Sequence, residues 1–543
     1  MNTKASTAQA LEQEIARLNA LVLSQKMTIS SQATTISSQK TAIDNLHQQV
    51  LLLRQARFGR KSEKLHNEQQ LSLQFDEIDT LEAHSATEVD SMQTQTITYT
   101  RAKKGQGRKA LPKNLPYIEK IYDLTEEEKR CPCGCTLTYI GNEVSEQLDI
   151  VPQMAFCVRH IRKKYACKAG CQDTVKRAPL PKQPIPKSIA SPGLLASIID
   201  SKFNLALPLY RQEAMLTEAG VPITRATLSQ WLILAAEHLV PLAKLMKAHI
   251  EAYDIAYADE TTLQVLKQKD KAPTSKSYMW LFIGGAPQKR VFLYQYHPTR
   301  EHHIPRDFFE EFKGYLHADA YQAYTTLGQS QHITHVACMA HARRYFADLV
   351  KMNPKKKGIA HTFIERFAAL YALEKQLKEN KASPESIYQE RQQYAQPILA
   401  TIKTMAETAY PKTPPKSALG KALAYLLTHW EALNHYLLDG RLEIDNNLSE
   451  RAIKPFVIGR KNWLFHGNDK GAQAGALFYS FIATCKFHKI DPFSWFKYVF
   501  THIHNAQTME HLELLLPFNI NNNLLDDMRR IPELSFPGIE AGN

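Results

Sequence analysis

Between Ala252 and Ala342 the sequence breaks into five short apolar runs, AYDIAYADE, SYMWLFIGG, KRVFLYQYH, GYLHADAY and HVACMAHA. They are too short for stable helices and rich in the β-branched and aromatic residues that suit a pleated surface. Turn signals fall at 267–276 and 284–289, and a helix is expected around 307–312, ahead of the fourth run. Three consecutive strands, a helix and further strands describe an α/β core, a mixed sheet with helices on its faces. Asp259 closes the first run and Asp319 the fourth. If those strands are neighbours, both carboxylates reach over one sheet edge, where hard oxygen ligands suit magnesium or manganese better than zinc. An acid at a strand end is also an ordinary turn former. Glu260 alternates to the opposite face and is the weaker candidate.

A third acid follows in DNNLSERAIKPFVIGRKNWLF, which reads as a helix carrying Glu450, then Arg451, Lys454, Arg460 and Lys461, and closing on Trp463 and Phe465. A carboxylate beside so many cations suits work on phosphate. Three carboxylates from two strands and a helix can hold two divalent ions, which activate a water or hydroxyl and stabilise the leaving oxygen of a phosphodiester. Taken alone, Glu450 is equally a solvated helix residue paired with Lys454 at i+4. Helical patterning in IERFAALYALEKQLKE and SALGKALAYLLTHWEALNHYL marks 351–440 as a helical insertion between the two parts of a catalytic domain, 249–350 and 441–505. His335, Cys338 and His341 precede the insertion; metal ligation by that trio is conceivable, but strand packing followed by a basic helix is the simpler reading.

At 543 residues the chain holds several structural units. Its 67 Lys and Arg against 54 Asp and Glu give a net charge of +13 and a pI near 9.1, a balance that favours an anionic partner such as nucleic acid, although a merely basic surface has the same charge. No apolar run approaches the ~20 residues of a membrane span, and the N-terminus lacks a signal-peptide core, so a cytoplasmic address and no membrane partner are expected.

The segments before the sheet read as four regions. Over 1–57, Ile15, Val22, Ile29, Ile36, Ile43 and Val50 recur every seventh position, with a companion row of Leu11, Leu18, Leu46 and Leu53 that Gln25, Gln32 and Gln39 interrupt. That pattern predicts a coiled-coil helix and a homo-oligomer, the alternative being one long helix folded back on its own protein. Residues 58–128 form a linker in which glycines separate Lys103, Lys104, Arg108 and Lys109, a basic segment suited to the minor groove of A·T-rich DNA or to plain solvation. The module at 129–178 carries six of the eight cysteines. Four thiolates from Cys131, Cys133, Cys135, Cys167 and Cys171 would close a structural zinc site, with Cys131, Cys135, Cys167 and Cys171 preferred and Cys133 a competitor. Cys157, in the apolar run MAFCVRH, is expected in a core. Residues 179–248 comprise the proline-rich PLPKQPIPKS, read as linker, and two helices of helix-turn-helix spacing about Ala219-Gly220-Val221. The second is capped near Thr224 and begins with Arg225, Thr227, Ser229 and Gln230, where base edges would be read. A tail occupies 506–543.

AYADETTLQVL, YLHADAYQAY, CMAHARRYF and above all DNNLSERAIKPFVIGRKNWLF resemble the transposases of the insertion sequence 66 family. FGRKSEKL, VSEQLDIVPQMAFCVRHIRKKYAC, LPLYRQEAML and ALFYSFIATCKFHKIDPFSWF match it too, so the likeness runs from about Leu46 to about Phe500. It implies a ribonuclease H-like catalytic domain with Asp259, Asp319 and Glu450 as a metal-binding triad, divalent-metal cleavage of DNA at the element ends, and strand transfer by the exposed 3′ hydroxyl. It further implies small accessory proteins encoded beside the transposase. Arg451, Lys454, Arg460 and Lys461 would contact phosphate or terminal bases, and Asn447 would support Glu450. A non-catalytic DNA binder derived from a transposase, and a nuclease that cuts without joining, are the rival readings.

Overall fold

The computed structural model describes residues 182–352 and 358–529, with shorter stretches at 14–15, 17–36, 39–40, 43, 155–158, 160, 164–165 and 176–177. The chain divides into two compact units, 1–74 with 160–543 and, separately, 75–159. Of the second unit only 155–158 are described. Cys157 is exposed there rather than in a core, alongside Phe156 at 53% and Val158 at 54% exposure. The run adopts neither helix nor strand, so no regular alternation turns its apolar side chains inward. The basic residues Lys103, Lys104, Arg108 and Lys109 and the cysteines Cys131, Cys133, Cys135, Cys167 and Cys171 lie outside the described residues.

In the first unit the N-terminal residues 17–36 are helical and exposed along their whole length. Helices α1 (Pro192–Ile199), α2 (Leu209–Glu218), α3 (Arg225–Glu237) and α4 (Val240–Glu251) precede the sheet. The α2–α3 pair has the expected turn, with Gly220 at φ +80° and the Thr224 hydroxyl capping the Thr227 N–H at 3.3 Å. Part of the proline-rich stretch is packed rather than free: Pro184 and Ile185 are buried, and His238 Nε2 meets the Pro184 carbonyl at 2.6 Å.

The sheet comprises β1 (Ile255–Lys267), β2 (Lys276–Gly284), β3 (Val291–His297), β4 (Gly314–Ala318) and β5 (Ile333–Ala337), with α5 (His303–Phe308) and α6 (Gln322–Leu327) in the connections. The strand order is β3-β2-β1-β4-β5. β1, β2 and β3 pair antiparallel, whereas β4 lies parallel to β1 and β5 parallel to β4. The helix expected at 307–312 sits a turn earlier, because Phe308, Phe309 and Phe312 all enter the core and the chain turns between them. β4 is brought against β1 by Gly314. At φ +141° a side chain there would meet the Asp254 carbonyl at 2.2 Å, which leaves the Tyr315 N–H free to donate to that same carbonyl at 2.8 Å.

After β5 come α7 (Met339–Met352) and a helical stretch, α8 (Ile359–Glu379), α9 (Pro384–Glu390), α10 (Gln396–Ala409), α11 (Ala418–Thr428) and α12 (Trp430–Asn434). The chain then returns as α13 (Asn447–Trp463), β6 (His466–Asn468), which pairs with the far end of β1, and α14 (Asp469–Phe487), followed by α15 (Pro492–His502), α16 (Met509–Glu513) and α17 (Asn522–Asp526). α14 covers the outer edge of β3: the Tyr294 N–H donates to the Ser480 hydroxyl at 2.8 Å and the Phe292 N–H to the Thr484 hydroxyl at 3.1 Å. An edge that would otherwise offer unpaired backbone groups is closed by one helix face. No helix among the described residues is long and apolar enough to cross a membrane.

Candidate functional site

The parallel register pairs Ile255 with Tyr315, Ala256 with Leu316 and Tyr257 with His317. Two residues further on, the same offset sets Asp259 opposite Asp319. Asp319 follows the last residue of β4 as expected, but Asp259 does not end its strand. β1 continues to Lys267 because its antiparallel partner continues, with Asp259 across from Leu281. What ends beside Asp259 is the parallel neighbour, β4, whose last residue, Ala318, lies level with Ala258.

Asp259 Oδ1 accepts the Glu260 N–H at 2.8 Å, and Asp319 Oδ1 accepts the Tyr321 N–H at 2.9 Å. Burial first, then the charges of Glu260, Asp319 and Glu450, push the Asp259 carboxyl up to about 8, against a smaller pull from the Glu260 N–H. Glu260 points to the other face and is engaged there. Tyr324 donates its hydroxyl at 2.7 Å and Arg300 donates through Nε at 2.8 Å while lying 3.9 Å over the Tyr321 ring. Burial raises the Glu260 carboxyl, and Tyr324 and Arg300 oppose the rise.

Glu450 stands in the first turn of α13, and the approach of that helix is fixed by Asn446. The Asn446 backbone N–H donates to Cys338 Sγ at 3.2 Å, its side-chain N–H to the Ala258 carbonyl at 2.9 Å, and its Oδ1 accepts the Ser449 hydroxyl at 2.9 Å. One buried residue thereby joins the end of β5, the strand residue before Asp259, and the helix that carries Glu450. The support expected from Asn447 goes elsewhere: its side chain donates to Asp445 Oδ2 at 2.7 Å and its backbone N–H to Oδ1 at 3.1 Å, because the Asn-Asn turn folds back on the preceding acid. Burial pushes the Asp445 carboxyl up to about 6.

Two residues of α7 reach Glu450. His341 Nδ1 lies 3.7 Å from Oε1 and Arg344 Nη2 lies 3.6 Å from Oε2. Their i, i+3 spacing puts both on one helix face, a signal visible in CMAHARRYF once the segment is a helix rather than a strand. The trio of His335, Cys338 and His341 does not assemble as such. His335 Nε2 meets the Asp319 carbonyl at 3.1 Å, whereas Cys338 and His341 gather with Glu450, their donor atoms within 4.8 Å of one another.

On α13, Arg451, Lys454 and Lys461 are exposed, while Arg460 bonds the Thr262 carbonyl and, at 3.2 Å, the Thr262 hydroxyl, clamping the helix to β1. Pro455 withholds an N–H from the Arg451 carbonyl, and the next carbonyl, Ala452, accepts the Tyr294 hydroxyl at 2.5 Å. Arg225 is exposed at the start of α3.

Comparison with known proteins gives a consistent answer along the chain. The family model described as "Transposase IS66 family" matches 187–474, "zinc-finger binding domain of transposase IS66" 128–171, "Transposase C of IS166 homeodomain" 45–119, and "IS66 C-terminal element" 480–518. The protein of Sinorhizobium fredii named "Uncharacterized protein y4jD" is 31% identical over 497 residues, 88% of this chain and 94% of its own. "Uncharacterized protein y4qI" of the same organism is 30% identical over 529 residues, 94% of this chain and 92% of its own. With a match over more than half of its length, the chain belongs to the transposase IS66 family.

Proposed function

We propose that this chain is a DNA transposase that binds the ends of its own element, cleaves them in a divalent-metal-dependent reaction and joins the exposed 3′ hydroxyl to target DNA. The observation that supports the reading is that Asp319 and Glu450 both bear on the charge of Asp259, with Asp259 and Asp319 on neighbouring parallel strands and Glu450 on a helix tied to the first strand through Asn446. The sheet order, with an antiparallel β1-β2-β3 meander continued by parallel β4 and β5, supports a ribonuclease H-like core interrupted by a helical insertion.

The donor set fits magnesium or manganese. Three carboxylates supply hard oxygen ligands, and the burial that raises Asp259, with the added charges of Glu260, Asp319 and Glu450, is a cost that a divalent cation at the same place would offset. Bound there, such ions supply the activation of a water or hydroxyl and the stabilisation of the leaving oxygen. Asp259, Asp319 and Glu450 would hold them, and Arg344 would set the direction of the Glu450 carboxylate. Arg451, Lys454 and Lys461 would meet backbone phosphates along α13, with Arg460 acting through β1 instead. Arg225 would meet DNA from α3, and Lys103, Lys104, Arg108 and Lys109 would add a flexible basic contact. In the zinc-finger match, four of Cys131, Cys133, Cys135, Cys167 and Cys171 would hold structural zinc. The N-terminal helix leaves Ile15, Val22, Ile29 and Ile36 each about half or more exposed, which supports pairing with a second copy. Small accessory proteins of the same element complete the list of partners.

Labelled DNA carrying the element's own ends, incubated with Mg²⁺ or Mn²⁺, tests the reading. Wild type is expected to nick and join at the terminus, and Glu450→Gln to bind without cutting. Nicks without joined product would identify a nuclease. Binding without cleavage by wild type, with the accessory proteins supplied, would identify a non-catalytic binder.

A further inference from the structure

Of the three donor atoms that Cys338, His341 and Glu450 bring within 4.8 Å of one another, the carboxylate cluster uses only the last. The group forms because Asn446 donates its N–H to Cys338 Sγ and so seats the first turn of α13 against the first turn of α7. The 3.7 Å between His341 Nδ1 and Glu450 Oε1 is too long for a hydrogen bond. It is close to the separation of about 3.4 Å expected for two ligands of a tetrahedral zinc with bonds of ~2.0–2.1 Å. Arg344 lies on the other carboxylate oxygen, Oε2, which leaves Oε1 directed at the imidazole. A thiol, an imidazole and one carboxylate make a softer set than three carboxylates and select zinc over magnesium. Cys338 is buried, and a coordinating thiol is deprotonated by the ion itself, so the ion's charge compensates what burial withholds. The donor atoms Nδ1 and Oε1 are buried, but both side chains are partly exposed, so an ion would enter as they turn.

We infer that Cys338, His341 and Glu450 form a binding site for Zn²⁺ that shares Glu450 with the Asp259–Asp319 cluster, so that zinc occupancy withdraws Glu450 and holds the cluster inactive. The inhibitory half rests on the proposed reaction at Asp259, Asp319 and Glu450; the binding half does not.

Cobalt distinguishes the two halves. Full-length protein is first given zinc and then treated with a chelator until only the one equivalent held by the four-thiolate module remains, then titrated with Co²⁺, which displaces tightly held zinc poorly and whose thiolate charge-transfer absorption reports a cysteine ligand. Wild type is expected to take up one further equivalent with that absorption. Cys338→Ser, whose hydroxyl still accepts the Asn446 N–H, should lose the band, and His341→Ala should weaken uptake at least tenfold. Both should keep their module zinc and their melting transition. In magnesium, zinc should inhibit cleavage by wild type, with at least tenfold more zinc needed for Cys338→Ser. No cobalt beyond the module, or a band that survives in a folded Cys338→Ser, overturns the site. Equal inhibition of both proteins overturns the shared-ligand mechanism. Should wild type take up the extra cobalt yet never cut DNA, the metal site stands and the transposase reading fails.

Discussion

Asn446 is 2% exposed and makes three tertiary or turn contacts at once, through its backbone N–H, its side-chain N–H and its side-chain oxygen. Asn446→Ala removes the donor to the Ala258 carbonyl, and an unsatisfied buried group costs about 1–3 kcal/mol. It also frees the start of α13, and misplacement of a catalytic group by about 1 Å can cost ~10²-fold in rate. Cleavage is therefore expected to fall ~10²-fold while DNA affinity holds, as read from parallel cleavage and binding assays; full cleavage would mean that Glu450 is positioned by something else. The three candidate acids stand out in the sequence because each follows or opens a segment of clear periodicity. Asn446 was not, since an Asn ahead of a helix looks like a cap and only the tertiary pairing with Ala258 and Cys338 gives it a different task. His466 offers a test of burial. It is 6% exposed, and burial, helped by the charge of Lys202, pushes its imidazole down to about 3. The unfolded chain binds a proton there below about pH 6.5 and the folded chain does not, so this residue's contribution to stability is full above that pH. It is lost at up to about 1.4 kcal/mol per pH unit as pH falls towards 3. In melts from pH 7 to pH 5, His466→Gln should show a shallower decline by one proton's worth; an unchanged slope would mean that His466 is protonated in the fold.

At the scale of elements, the antiparallel strands were legible from their alternating and aromatic runs, and the helices of 351–440 from their period. β1 runs past the end expected at Asp259, where the apolar run gives way to two acids that are depleted in strands. Pairing with β2, including Thr262 with Tyr278, overrides that local preference. The closing of β3 by α14 was likewise invisible in ALFYSFIATCKF, where Ser480 and Thr484 look like indifferent helix residues. Both are fully buried, and each hydroxyl also donates back to the carbonyl four residues earlier, Ala476 at 2.8 Å and Ser480 at 2.8 Å. Replacing Ser480 and Thr484 together by Ala and Val leaves the Tyr294 and Phe292 N–H groups buried without acceptors, at about 1–3 kcal/mol each. A urea midpoint lowered accordingly, with an unchanged slope, is the expected result. A loss below ~1 kcal/mol would show that the edge finds other acceptors.

At the scale of the whole molecule the question is what ties the helical stretch of 351–440, which separates Asp319 from Glu450 along the chain, to the segment that carries Glu450. Arg391 supplies a physical answer. Its guanidinium forms a two-pronged pair with Glu374 of α8, both bonds at 2.8 Å, and donates to the carbonyls of Tyr436 at 2.9 Å, Asp439 at 3.1 Å and Leu442 at 2.8 Å. The pair is 2% and 7% exposed. One side chain of the helical stretch therefore grips the segment that leads through Ile444, whose carbonyl accepts the Met339 N–H at 3.2 Å, into Asn446 and Glu450. Breaking a buried pair by removing one partner costs about 3–5 kcal/mol, because a charge is left uncompensated, whereas replacing both by apolar residues is often close to neutral. Arg391→Met should accordingly destabilise strongly, and Arg391→Met with Glu374→Leu should recover the part of the loss that comes from the uncompensated Glu374 charge, both read from denaturation. The carbonyls of Tyr436, Asp439 and Leu442 lose their donor in both variants. If the grip positions Glu450, cleavage stays depressed in the double variant even as its stability returns. Cleavage that recovers in step with stability would reduce the helical stretch to a source of folding energy alone.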